Sequence, residues 1–70
     1  MAELNKNFAK ERRSLYLTQG DVALAIGVSR FTYIKWENDP DTMPIGRYKQ
    51  VIEFLAKQRA KREELTGELS

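Results

Sequence analysis

Seventy residues make one small domain whose core is marginal for independent stability, so added contacts from a second copy or a ligand are expected. The chain has no cysteine and no histidine, which excludes disulfides and thiolate chemistry and removes the usual transition-metal ligands and imidazole bases; no enzyme, metal, cofactor or small-molecule substrate is expected. Twelve Lys and Arg against ten Asp and Glu give a net charge of +2 and a pI near 9.1, which suits an anionic partner.

From Glu3 to Leu17 the apolar residues Leu4, Phe8 and Leu15 recur at helical spacing among charges and predict a first helix. Thr18 is an N-cap candidate for a second, two-turn helix in "QGDVALAI", with Val22, Ala23 and Ile26 on one face and Asp21 where the helix dipole favours negative charge. Gly27 fits the left-handed position just past that helix, and Val28 can then fold back onto it. Ser29 is the next N-cap candidate, for a third helix from about Arg30 to Asn38 that "NDPDTMP" stops. Tyr48, Val51, Ile52 and Leu55 form the stripe of a fourth helix from about Ile45. Past Leu55 the stripe fades, and "AKQRAKREEL" could extend the helix, form another or fray, with Gly67 expected to end whatever is there. No apolar run is long enough to span a bilayer and the amino terminus is charged throughout, so a cytoplasmic protein without membrane contact is expected.

The third helix cannot bury all its large side chains. At about 100° per residue, Tyr33 and Trp36 share one side with Glu37, while Phe31 and Ile34 point the other way with Lys35 and Asn38. Between Asp21 and Glu37 the only charges are Arg30 and Lys35, so a surface built there is locally basic. A small Ala23 at a steep helix crossing, a left-handed Gly27 and an inward Val28 are what a helix-turn-helix needs, with Val22, Ile26, Tyr33 and Trp36 filling the angle.

The segment "LTQGDVALAIGVSRFTYIKWEN", Leu17 to Asn38, resembles the Cro and phage-repressor helix-turn-helix regulators, the XRE type, and the likeness extends over roughly Phe8 to Leu55. The resemblance implies an all-α, compact, four- to five-helix lambda-repressor-like domain that binds double-stranded operator DNA as a homodimer, its third helix in the major groove. It implies base-reading positions at Arg30, Phe31 and Lys35, phosphate or backbone contacts from Gln19, Ser29 and Asn38, and a buried ion pair between Arg12 and Glu37. It also places Arg47 and Lys49 after the loop that relatives lay along the DNA backbone.

The chemistry of the residues agrees. The amino terminus of the second helix, at Thr18 and Gln19, suits a phosphate. Arg30 can present its fork to guanine, Lys35 can read a guanine or neutralise a phosphate, and Phe31 and Ile34 can pack on a thymine methyl. The alternative for Phe31 and Ile34 is packing against the tail or a second subunit. Lys57, Arg59, Lys61 and Arg62 read as a solvated helix face or as phosphate contacts.

Two features depart from the family. Asp39, Pro40 and Asp41 stand where glycine and basic residues are common, and Phe31 replaces a usual polar residue. The expected function is a phage or prophage Cro-like repressor on a two-fold operator. The competing readings are a protein-interaction module, such as an antitoxin-like or adaptor domain, and a transcriptional activator.

Overall fold

The computed structural model describes residues 7–69, with side chains through Glu63 and backbone alone beyond it. Four helices follow in order: α1 (Phe8–Ser14), α2 (Gln19–Ile26), α3 (Arg30–Asn38) and α4 (Ile45–Leu69), with a 3₁₀ turn (Pro40–Thr42) between the last two. Leu4 and the predicted start of the first helix lie outside the described residues.

Local chemistry explains why α2 and α3 start and stop where they do. Thr18 Oγ1 accepts the Asp21 amide at 3.0 Å and the Asp21 carboxylate accepts the Thr18 amide at 2.9 Å, a closed capping box. At the other end Gly27 takes φ +76°, its amide donates to the Leu24 carbonyl, and the Val28 amide donates to that of Ala23. Those two bonds form a Schellman motif, and they turn the half-buried Val28 back against the core. Ser29 Oγ then accepts the Thr32 amide at 3.1 Å and starts α3 two residues after the turn.

The core joins all four helices. Phe8, Val22, Ala23, Ile26, Tyr33, Trp36, Met43, Val51 and Leu55 are buried, and Leu15, Leu17, Val28, Tyr48, Ile52 and Phe54 pack against them. Every apolar position assigned to the angle between α2 and α3 is therefore inside. Pro40 opens the 3₁₀ turn, whose short geometry drops Met43 into the core before α4 begins.

Two boundaries differ from the expectation. The first helix ends at Ser14 and not at Leu17, because Tyr16 adopts a left-handed φ of +59° and reverses the chain. Two contacts compensate for the strain: the Arg12 guanidinium holds the Leu17 carbonyl at 2.7 Å, and the Arg62 guanidinium stacks 4.7 Å over the Tyr16 ring. Gly67 does not stop the fourth helix, which runs on to Leu69; a glycine is a poor helix former but a stop only where it turns left-handed. The outer part of α4 is tied to α1 by polar contacts, an Arg59–Glu11 ion pair and an Arg62 bond to the Leu15 carbonyl. Among the described residues no helix is long and apolar enough to cross a membrane, and no group of His, Cys, Asp and Glu side chains could hold a metal.

Candidate nucleic-acid interface

The angle between α2 and α3 is fixed from inside by one carboxylate. Arg12 turns inward from α1, its Nε donating to Oε2 of Glu37 at 2.7 Å and its Nη2 to Oε1 at 3.2 Å. Gln19 at the start of α2 donates from Nε2 to the same Oε1 at 2.9 Å. The Arg12 and Glu37 side chains keep only 9% and 6% of their exposure, so these charge-assisted bonds are screened little by water. Glu37 on α3 thus ties together α1, the α1–α2 turn and the first residue of α2.

Burial works against both charges, yet the pairing outweighs it. Burial alone would raise the Glu37 carboxyl, but hydrogen bonds from Arg12 and Gln19, with the Tyr33 phenol alongside, hold it below its ordinary range. Burial likewise opposes the Arg12 guanidinium, and Glu37 keeps it above its usual value. The buried Tyr33 phenol is pushed up by desolvation first and by the Glu37 carboxylate second. A carboxyl depressed on folding adds stability that is complete above its ordinary value near 4.5 and is lost as pH falls through its own lower titration. The difference in melting temperature between the parent and Glu37→Gln is therefore expected to be constant at neutral pH and to narrow progressively below about pH 4.5. Melting curves taken from pH 7 to pH 3 check this; a difference that widens on acidification contradicts it.

The outward side of α3 carries Arg30, Phe31 and Lys35, all exposed, with Ile34 half-buried at their edge. Phe31 keeps 86% of its surface in solvent. Tyr16, Leu24 and Ile45 are also large and exposed, so exposure alone does not single Phe31 out; its place between two exposed cations does. Glu37, the acidic residue of α3, is turned away and neutralised by Arg12, which leaves the outward face positive until Asp39 and Asp41.

The residues assigned to the DNA backbone fall in different situations. Ser29, Asn38 and Lys49 are exposed. Thr18 is exposed, with its hydroxyl occupied by the cap of α2, and Gln19 is half-buried with its amide on Glu37. Arg47 is drawn inward: Nη1 donates to the Ile26 carbonyl at 2.8 Å and to Gln50 Oε1 at 3.0 Å, so it closes the carboxyl end of α2. Sequence reasoning missed that bond, since spacing along α4 does not show that Arg47 reaches a carbonyl the Schellman turn leaves open. The basic run Lys57, Arg59, Lys61 and Arg62 is exposed throughout, with Arg59 paired to Glu11 on α1 and Arg62 on Leu15 and Tyr16 just past it.

Residues 8–57 match the family model of helix-turn-helix proteins, a stretch that begins with α1 and contains α2, α3 and the buried part of α4. Neither the curated proteins nor the solved structures supply a significant match. With the family match covering most of the chain and the α2–turn–α3 unit built as described, the chain belongs to the helix-turn-helix family of the XRE, Cro and repressor type and is a DNA-binding transcriptional regulator.

Proposed function

We propose that this regulator is a Cro-like repressor of phage or prophage origin that binds a two-fold operator as a homodimer, with α3 in the major groove. The observation that carries the reading is the exposed Phe31 flanked by exposed Arg30 and Lys35 on a helix whose other side is buried. In the groove Arg30 reads guanine bidentately, Phe31 and the open edge of Ile34 pack on a thymine methyl, and Lys35 reads a base or neutralises a phosphate. Thr18 and Gln19, at the amino end of α2, together with Ser29, Asn38 and Lys49, hold the sugar-phosphate backbone. Arg47 joins them through the part of its guanidinium not given to Ile26. Half-sites lie about 34 Å apart, one helical turn, so that both copies enter from the same face. Such a protein works on the nucleoid in the cytoplasm of a bacterial host and represses by occupying a promoter.

A gel-shift titration over a salt series tests this reading. Affinity for duplex DNA is expected to fall by roughly a thousandfold between about 50 and 200 mM salt, with a sequence preference that survives. Arg30→Ala is expected to cost about 1 to 3 kcal/mol at one base position of each half-site. A protein-interaction module would show neither the salt slope nor the preference.

A further inference from the structure

Gly20 has no backbone reason to be glycine. Among the described residues Gly27 is the glycine with positive φ, while Gly20 sits inside the first turn of α2, where alanine is the better helix former. Its surroundings bear on Arg30 instead. A Cβ placed on Gly20 would meet Cδ of Arg30 at 3.8 Å and Oγ1 of Thr18 at 3.7 Å, both ordinary van der Waals distances. Cδ of the Arg30 side chain, reaching from α3, and the Thr18 hydroxyl therefore both stand next to the space that a Gly20 side chain would fill. The hydroxyl is fixed, because Thr18 Oγ1 accepts the Asp21 amide in the capping box. A methyl group fits beside both; a side chain branched at Cβ brings further atoms toward them, and the exposed Arg30 stem yields more readily than the cap.

We infer that Gly20 is a specificity-determining position, whose lack of a branched side chain leaves the Arg30 stem room beside α2 and thereby affects where the guanidinium stands against the base it reads. The inference rests on the reading of α3 as the base-reading helix. Gly20 itself reads no base and acts through Arg30 alone.

Gly20→Ala, Gly20→Val and Gly20→Thr, each made in the parent and in Arg30→Ala, test this by selection from a random duplex pool followed by titration of the selected duplex. Valine and threonine are no poorer helix formers than glycine, and circular dichroism with melting curves confirms that each variant is folded before binding is compared. Gly20→Ala is expected to melt higher and keep the parent preference. Gly20→Val and Gly20→Thr are expected to lose on the order of tenfold in discrimination at the Arg30 base position, and to lose nothing further in the Arg30→Ala background. Branched variants that keep the parent preference while Arg30→Ala loses it overturn the inference alone. An Arg30→Ala protein with its preference intact overturns the base-reading role and this inference with it.

Discussion

Arg12→Ala is expected to cost about 3 to 5 kcal/mol of stability and, at about 4 to 8 °C per kcal/mol for a domain of this size, to lower the melting temperature by at least about 12 °C. The size follows from what is left behind rather than from the bonds lost. Removing the guanidinium leaves the Glu37 carboxylate inside the protein with Gln19 as its remaining hydrogen-bonded partner, and frees the Leu17 carbonyl that the same guanidinium holds. The left-handed Tyr16 turn then loses an inner support next to it. Replacing both charges with apolar side chains of similar volume, as in Arg12→Met with Glu37→Leu, is expected to recover most of the loss, because a buried pair is worth little over a well-packed apolar contact. Thermal melts of the three proteins at neutral pH check this. A single variant as stable as the parent would show that the pair is solvated.

The second large effect belongs to Phe8, which is fully buried at the start of α1. Its ring lies 6.2 Å from that of Tyr33 on α3 and 6.4 Å, edge-on, from that of Tyr48 on α4. One side chain thus clamps three helices, and Phe8→Ala is expected to cost about 3 to 5 kcal/mol, with Phe8→Leu costing clearly less. For a 70-residue domain that is a large part of the total stability, so a substantial unfolded fraction at 37 °C follows. Urea unfolding of the two variants measures it; equal midpoints for Phe8→Ala and the parent would mean that α1 is not part of the cooperative unit.

The parts of the fold that were legible in the sequence are those governed by short-range chemistry. Thr18, Gly27 and Ser29 each dictate a local bond or a left-handed backbone, and the helix ends they imply are the ends observed. The apolar spacing of Val22, Ile26, Tyr33 and Trp36 marks the inside of the α2–α3 angle for the same reason. The end of α1 was not legible, since no glycine or proline stands near Ser14 and the reversal at Tyr16 is supported by Arg12 and by Arg62, 46 residues further on. The continuation of α4 escaped the apolar periodicity because the contacts holding it are the Arg59–Glu11 pair and the Arg62–Tyr16 stack, which leave no apolar stripe. At the interface, the outward positions of α3 followed from helical geometry alone. The Arg47 bond to Ile26 and the nearness of Arg30 to Gly20 depend on how elements cross, which spacing along one helix does not encode.

Operator recognition turns on the open side of α3, and selection of duplexes from a random pool by the parent protein and by a triple Arg30→Ala, Phe31→Ala, Lys35→Ala variant tests it most directly. The parent is expected to enrich a two-fold symmetric sequence with a guanine and a thymine in each half-site, and the triple variant, folded to the same helicity, to enrich none. Enrichment of the same sequence by both proteins would contradict it.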